Sequence, residues 1–128
     1  MPLPQLLNTF ASSPGIQQVS NRARQNCRTL SVTGLAGSSR SLMIAHLHGL
    51  NPGPALVVVD GTEAAEQIRD DLISVFDEKT VFLFSDWELL PYEHLSPDSD
   101  VTGARIQALD ALRRRKPVIV VTSVRALM

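Results

Sequence analysis

The sequence has one cysteine, no marked excess of either charge and no long apolar run, and each absence excludes a class of protein. Cys27 has no second cysteine with which to form a disulfide within the chain, and it is expected to be a buried or half-buried thiol before the first strand. Because no charged-then-apolar leader opens the sequence either, we expect a reducing, cytoplasmic setting. No apolar stretch approaches the roughly 20 residues that a membrane-spanning helix needs, so no membrane partner is expected.

The charge balance is close to neutral, with 12 Lys and Arg against 13 Asp and Glu. It therefore supplies no overall attraction to nucleic acid or to acidic membranes. Residues 113–116 form the one basic run that could contact phosphate. Cations at the end of a helix also complement the helix dipole while they stay solvated, and this second interpretation is favoured.

What is present is an alternation of strand-like and helix-like segments. With 128 residues, 44% of them hydrophobic, the chain is long and apolar enough for one compact unit. The alternation predicts an α/β fold in which helices flank a parallel sheet, with any ligand near the carboxyl ends of the strands. The apolar run at residues 55–59 is typical of a strand buried on both faces. Strands are predicted at 30–33, 55–59, 81–84 and 118–121, and helices at two short stretches within 1–26 and at 41–50, 62–76 and 101–115, the last with a buried stripe of Ala104, Ala108, Leu109 and Leu112.

The turn between the first predicted strand and its helix resembles a phosphate-binding loop. Residues 34–41 have the first Gly and the final hydroxyl of the pattern G-x-x-x-x-G-K-[ST]. Ser39 stands where a second Gly would let backbone N–H groups wrap around phosphates, and Arg40 stands where a compact Lys ammonium would reach them. A tight strand-to-helix turn with a weak anion site is favoured over productive ATP binding. The sequence thus predicts a vestigial phosphate loop, with no cofactor bound, that comprises Gly34, Gly37, Ser38, Ser39, Arg40 and Ser41.

Other reactive or metal-binding side chains form no recognised arrangement. Asp60 ends a strand as a magnesium-holding carboxylate would, but a capping box with Glu63 explains it without a ligand. His46 and His48 lie two apart on a predicted helix and so project toward different faces, which does not suit one metal ion. His94 has no neighbouring nucleophile in a recognised arrangement. We therefore expect no catalytic residue and no metal site.

Four stretches of the sequence together resemble one family: residues 33–40, 56–60, 86–97 and 118–128. The third is the most specific, because Asp-Trp-Glu, then Pro-Tyr and Ser-Pro, followed at helical distance by Arg105, resembles the block D-W-E-x-L-P-Y-[DE]-x-x-S-P. On these residues, the sequence from about 28 to 128 resembles the N-terminal segment of bacterial transcription-repair coupling factors (Mfd), whose opening domains are similar to the excision-repair protein UvrB.

The resemblance implies a fold and a division of the chain. A helical lead-in would occupy residues 1–27, and residues 28–128 would form the first part of a degenerate P-loop NTPase domain, RecA-like and similar to the first domain of UvrB. The chain would then be an incomplete fragment that lacks the closing strands of this domain. In the family the ATP site of this module is expected to be decayed, in agreement with Ser39 and Arg40.

The resemblance also implies a role in which this segment does no catalysis. It would be a UvrB-like module that supports recruitment of UvrA, through the adjoining domain, and autoinhibition of the motor in transcription-coupled nucleotide excision repair. ATP and Mg²⁺ would be used by the motor of the parent protein, an ATP-dependent DNA translocase, and not by this segment. The parent protein would contact RNA polymerase and DNA.

Two other functions stay open on the residues alone. Residues 34–41 could belong to a functional nucleotide-binding half-domain of an NTPase or helicase, which would have to bind nucleotide despite Ser39 and Arg40. A free-standing signalling domain of flavodoxin-like type would need an acidic pocket, for which Asp60 and Asp86 are the plausible carboxylates.

One loop carries the candidates for a contact with a partner or another domain. Trp87, Pro91 and Tyr92 place aromatic and rigid groups on it, and Arg105 follows in the next helix. Packing of the loop onto its own sheet is the interpretation favoured for these residues.

Overall fold

The computed structural model of the chain describes residues 3–87 and 99–128. They belong to two compact units, Met1–Pro52 and Gly53–Met128. The domain boundary predicted between residues 27 and 28 lies within the first unit, and it stays a prediction. The elements are α1 (Leu3–Ser12), α2 (Pro14–Arg24), α3 (Ser39–Leu50), β1 (Ala55–Val59), α4 (Thr62–Ile73), a 3-10 turn (Glu78–Thr80), β2 (Val81–Phe84), α5 (Ser99–Arg113), β3 (Ile119–Ser123) and α6 (Val124–Leu127).

Helices α1, α2 and α3 pack on one another in the first unit. Pro14 occupies the first turn of α2, where its missing N–H would have no helical partner in any case. Ile16 of α2 and Met43 of α3 are buried. The two short helices predicted within residues 1–26 are confirmed, and α3 begins two residues earlier than predicted.

The strand predicted at residues 30–33 is not formed, because residues 29–36 have neither helical nor strand structure. Leu30 and Val32 are half-buried, whereas Ser31 and Thr33 are exposed, so the alternation that suggested a strand is visible in the burial pattern. A strand also needs a neighbour to bond with, and in the described residues the sheet consists of β1, β2 and β3. The prediction was wrong because β-propensity is local and strand pairing is not.

Three parallel strands form the sheet of the second unit, in the order β1-β3-β2. Ile119 of β3 is in register with Ala55 on one side and with Val81 on the other. Every residue of β3 is buried. Parallel neighbours need crossover connections, and helices are the usual ones; α4 contacts all three strands and α5 contacts β2. The predicted α/β class, with helices flanking a parallel sheet, is confirmed.

Among the strands of residues 3–87 and 99–128, β1 lies at one edge of the sheet, and the prediction that it is buried on both faces was wrong. Leu56 is 53% exposed and Val58 is 46% exposed, while Ala55, Val57 and Val59 are half-buried. A continuous apolar run indicates double burial only where layers cover both faces of the strand. In this sheet the central strand β3 occupies that position.

Helix α4 differs from its prediction at both ends. Its N-cap is Gly61, in extended conformation, and no side chain caps the helix. The predicted cap by Asp60 was therefore wrong, because its carboxylate lies one residue before the capping position. At the other end the helix stops at Ile73 rather than at residue 76, where Ser74 N–H bonds to the Asp71 carbonyl at 3.2 Å in a tightened last turn.

Helix α5 presents a narrower apolar stripe than predicted. Ala108 and Ala111 are buried, and Ala104 is half-buried, as expected for residues three or four apart on one face. Leu109 is 55% exposed, so its inclusion in the stripe was wrong. Each residue turns the helix by about 100°, which places Leu109 beside the stripe. Helix α5 contacts β2, and Arg105 lies one turn before Ala108.

Candidate functional site

The predicted phosphate loop forms a turn into α3 that contains two left-handed glycines. Gly34 has φ 85° and Gly37 has φ 54°. Any other residue would lose about 1–2 kcal/mol in such a conformation because its Cβ crowds the following carbonyl. These two glycines therefore set the path of the chain into α3 whether or not an anion is bound.

Ser39 closes this turn onto its own backbone. Its hydroxyl donates to the Ala36 carbonyl at 2.6 Å and accepts the Ala36 N–H at 2.9 Å. The Ser39 N–H bonds to the same carbonyl at 3.2 Å, and the Arg40 N–H bonds to the Gly37 carbonyl at 3.3 Å. A phosphate cradle needs such N–H groups to point at the anion. Three of them are instead bonded within the chain.

The residues at the lysine and hydroxyl positions of the motif lie in different environments. Arg40 is exposed, whereas Ser41 is only 5% exposed and belongs to the buried face of α3. A hydroxyl that anchors Mg²⁺ must face the nucleotide, as the metal keeps several water and phosphate ligands. The turn thus engages three of its N–H groups within the chain and buries one of these two side chains. That residues 34–41 are a vestigial loop stays a prediction.

A second group of polar side chains lies in the second unit, at the carboxyl ends of β2 and β3. The guanidinium carbon of Arg105 is 3.9 Å from the centroid of the Phe84 ring and 4.3 Å from that of Trp87. The same guanidinium donates to the Ser85 carbonyl and, at 3.5 Å, to the Ala126 carbonyl. Arg105 thereby links α5 to the end of β2 and to α6.

Asp86 supplies a buried negative charge beside this arginine. Asp86 is 8% exposed, and its carboxylate lies 2.8 Å from the Nε of Arg125. Burial lowers the pKa of the Arg105 guanidinium from its ordinary value, and the neighbouring Asp86 offsets this only in part. An arginine stays charged all the same. We call these residues the arginine cluster: Phe84, Asp86, Trp87, Arg105 and Arg125.

The arginine cluster brings together two of the residues predicted to contact a partner or another domain, Trp87 and Arg105. Pro91 and Tyr92 lie outside the described residues. Trp87 is 41% exposed, so part of its ring packs on Arg105 and part is open to solvent. A planar guanidinium and an indole ring can hold carboxylates, carbonyl groups and apolar surfaces. The cluster is therefore suited to binding, and its contact with a partner stays a prediction.

Asp60 and Asp86 do not form a common acidic pocket. They follow β1 and β2, which the central strand β3 separates, so two strand spacings of about 4.8 Å lie between them. Asp60 is exposed, whereas Asp86 is buried against Arg125. This placement argues against the flavodoxin-like signalling domain. In residues 3–87 and 99–128, no group of three His, Cys, Asp or Glu could hold a metal ion.

His46 and Ser20 form a contact that was not predicted from the sequence. The Ser20 hydroxyl donates its single hydrogen to the Ile16 carbonyl at 2.9 Å, so it accepts from the His46 Nε2 at 2.6 Å. Burial, and to a smaller extent Arg24, lowers the pKa of His46. The ring of Phe10 meets the imidazole edge-on, 6.5 Å between centroids. The sequence carried one indication that Ser20 is buried: it follows the apolar Ile16 by one helical turn, which places both residues on the same face of α2.

Cys27 is exposed, so the prediction of a buried or half-buried thiol was wrong. Its sulfur lies 3.2 Å from the Arg22 carbonyl, in the turn that ends α2. The prediction depended on a following strand, and residues 29–36 do not form one.

The basic run at residues 113–116 is exposed at the carboxyl end of α5. Arg114 pairs with Asp110 one turn earlier, with 2.8 Å between Nε and the carboxylate. The exposure of these residues and their position at the end of a helix agree with the interpretation that they are solvated cations, which complement the helix dipole. Among the helices that the structure describes, none combines the length and the apolar character needed to cross a bilayer.

No protein-family model matches the chain. It is similar to curated transcription-repair-coupling factors: 35% identical to that of Mycobacterium tuberculosis over 99% of the chain, 36% to that of Myxococcus xanthus over 83%, and 28% to that of Escherichia coli (strain K12) over 73%. The matched part is 10%, 9% and 8% of the length of these relatives, respectively. The chain thus spans about 10% of the length of the first of the relatives it matches.

Proposed function

Since this chain belongs to the family of transcription-repair coupling factors, we propose that it is a non-catalytic, UvrB-like module of such a factor, acting in transcription-coupled nucleotide excision repair. Its role is to support recruitment of UvrA through the adjoining domain and autoinhibition of the motor. The parent protein works in the cytoplasm, contacts RNA polymerase and DNA, and uses ATP and Mg²⁺ in its motor.

The bond between the Ser39 hydroxyl and the Ala36 N–H is the observation that supports the non-catalytic role. It occupies a donor that a phosphate loop needs, at 2.9 Å, and places a side chain where the motif has a glycine. The buried Ser41 adds to this, because its hydroxyl does not face solvent. A domain that only positions its neighbours has no need of a nucleotide, and such a turn then serves to join the chain to α3.

The arginine cluster supports the second half of the proposal, contact with other domains. Trp87 is 41% exposed, and the side chain of Arg125 is 62% exposed. Tryptophan and arginine are the residues that contribute most often to binding when a partner covers them. Arg105 stacks on the Trp87 ring, and the buried Asp86 pairs with Arg125. These contacts position the two exposed side chains.

Isothermal titration of the chain with Mg-ATP tests the non-catalytic role. We expect no binding heat at ATP concentrations up to about 1 mM, which corresponds to a binding free energy weaker than about 4 kcal/mol. The Arg40→Ala variant should behave in the same way. Micromolar affinity that Arg40→Ala abolishes would instead establish a functional nucleotide-binding half-domain.

ATP hydrolysis by the full-length parent protein tests the inter-domain contact. If the exposed part of Trp87 holds another domain in an autoinhibited arrangement, Trp87→Ala should raise the basal rate by about fivefold, the equivalent of roughly 1 kcal/mol. Ile106→Ala is the matched control, because Ile106 is 61% exposed on α5 and is not a member of the cluster. Equal basal rates in both variants, with normal circular dichroism, would refute autoinhibition through this surface.

A further inference from the structure

The acidic residues of the chain all lie in its second unit. Residues 1–52 contain four arginines and neither Asp nor Glu, whereas residues 53–128 hold the other Lys and Arg residues and all 13 Asp and Glu. The first unit, Met1–Pro52, is therefore positively charged although the net charge of the chain is -1. Such an asymmetry between the two halves of a sequence indicates contact with a polyanion.

Three of the four arginines lie close together where α2 ends. Arg22 and Arg24 are in the last turn of the helix. The chain turns at Asn26, which has φ 51°, and the Cys27 sulfur lies 3.2 Å from the Arg22 carbonyl. Arg28, the next residue, is thereby kept near the end of the helix. We call Arg22, Arg24 and Arg28 the basic turn.

The positive charge of the basic turn is not neutralised within the first unit. Its three arginines are exposed, and none of them forms an ion pair with another of residues 3–87 and 99–128. The carboxyl end of a helix carries about half an elementary negative charge, far less than three cations supply. Burial, and after it the charge of Arg24, lowers the pKa of His46 on α3, so this charge acts on a neighbouring helix.

The side chains around the basic turn favour nucleic acid over a protein or a membrane. Residues 13–40 expose no large apolar side chain of the kind that a protein interface or a bilayer would bury. Asn21 and Gln25 are exposed one helical turn apart, and amides bind phosphate oxygens as arginines do. Phe10 is the single aromatic residue of residues 1–52, so the unit has no series of rings on which unpaired bases could stack. A duplex contacted through its phosphates fits these features.

We propose that the basic turn binds the phosphate backbone of a nucleic-acid duplex without reading its sequence. The planar guanidinium groups bond to phosphate oxygens, and each neutralised phosphate releases counterions, so the affinity falls steeply with salt. Three contacts predict a slope of about −2.7 for the logarithm of the association constant against that of the salt concentration. This contact is separate from the motor of the parent protein and does not depend on the proposed role of the chain in repair.

Fluorescence anisotropy of a labelled DNA duplex of about 20 base pairs, titrated with the whole 128-residue chain, tests the proposal. We expect a Kd of about 50–100 μM at about 25 mM salt, which is what counterion release by three contacts supplies without other interactions. Binding should weaken about sixfold when the salt concentration is doubled. Amide shifts in nuclear magnetic resonance spectra should be largest at residues 21–28.

The variant that combines Arg22→Gln, Arg24→Gln and Arg28→Gln removes the basic turn. It should weaken binding at least about tenfold and reduce the salt slope by about two or more. The three side chains are exposed, so the variant should stay folded, which circular dichroism checks.

The matched control combines Arg113→Gln, Arg115→Gln and Lys116→Gln. It removes the same charge from exposed positions of the second unit, and it should weaken binding less than about twofold. The comparison of the two variants separates a local contact from an effect of net charge.

Four results would overturn the proposal. They are no binding of the duplex with about 1 mM of the chain at about 25 mM salt, a salt slope that the basic turn does not change, equal weakening by the two variants, and equal or tighter binding of poly-glutamate of the same charge. The last result would assign the basic turn to acidic proteins rather than to nucleic acid.

Discussion

Replacement of Arg105 by alanine is the most direct test of the arginine cluster. It removes the guanidinium that lies against Phe84 and Trp87 and the bond to the Ser85 carbonyl. A cation–π contact contributes about 0.5–2 kcal/mol, depending on how far it is desolvated, and a hydrogen bond from a charged donor about 1.5–3 kcal/mol. Arg105 is half-buried and contributions of neighbouring contacts are not additive. We therefore expect the free energy of unfolding to fall by about 2–3 kcal/mol, near the lower end of the sum.

Urea unfolding followed by circular dichroism and by tryptophan emission measures this loss. Trp87 is the single tryptophan of the sequence, so the emission of the folded chain reports on its contact with Arg105. Arg105→Ala should lower the urea midpoint and also change the emission before unfolding begins. Arg105→Lys keeps the charge and loses the planar fork, so it should recover about half of the lost stability.

Arg113→Ala is the matched control, since Arg113 is an exposed arginine in the last turn of the same helix. Its effect should stay within about 0.5 kcal/mol. The reasoning would be refuted if Arg105→Ala changed stability no more than Arg113→Ala and left the emission of Trp87 unaltered. Equal losses in Arg105→Lys and Arg105→Ala would attribute the stabilisation to the planar geometry rather than to the charge.

Three further changes test other parts of the structure. The pKa of His46 is lowered from 6.5, chiefly by burial, so the unfolded chain takes up the proton first and stability is lost as the pH falls below that value. The urea midpoint should therefore drop more between about pH 7.5 and about pH 5.5 in the unaltered chain than in His46→Gln. Equal drops in the two chains would contradict this. Gly37→Ala should lower the free energy of unfolding, measured by thermal denaturation, by about 1–2 kcal/mol because Gly37 has a positive φ. Gly49→Ala, within α3, should raise it by up to about 1 kcal/mol. Similar effects of the two substitutions would show that the positive φ of Gly37 does not require glycine. Asp86→Asn should lower the free energy of urea unfolding by about 1–3 kcal/mol, because it removes the buried carboxylate between two arginines; a change below about 0.5 kcal/mol would show that this carboxylate stabilises little.

Three strands and five of the six helices in the described residues could be predicted because the patterns that encode them are local. The apolar runs that became β1, β2 and β3 are short and lie between segments of helical periodicity, and this alternation indicates parallel pairing without further information. The order of the strands was not encoded in the same way. Residues 55–59 are as apolar as residues 118–121, yet β1 lies at the edge and β3 at the centre, because position in a sheet depends on which layers cover each strand.

The candidate sites could be predicted residue by residue but not as arrangements. Trp87 and Arg105 were both named as contact residues from the sequence. Their stacking depends on how α5 lies against β2, which brings Arg105 to Ser85 across 20 residues of chain. The pairing of Asp86 with Arg125 likewise joins the ends of two strands. Residue types carry the chemistry of a site, whereas the register between elements decides which groups meet.

In the turn at residues 34–41, the residue that departs from the phosphate-loop motif, Ser39, forms hydrogen bonds that stabilise the turn. Ser39 bonds to both backbone groups of Ala36, so Ser39→Gly would free an N–H group for an anion and at the same time remove the contact that closes the turn before α3. Ser41 would stay buried, and residues 29–36 would still lead into the loop without a strand. The double variant Ser39→Gly, Arg40→Lys should therefore lose stability without gaining ATP turnover. Measurable ATP hydrolysis by that variant would mean that the two side chains alone had suppressed an otherwise complete site.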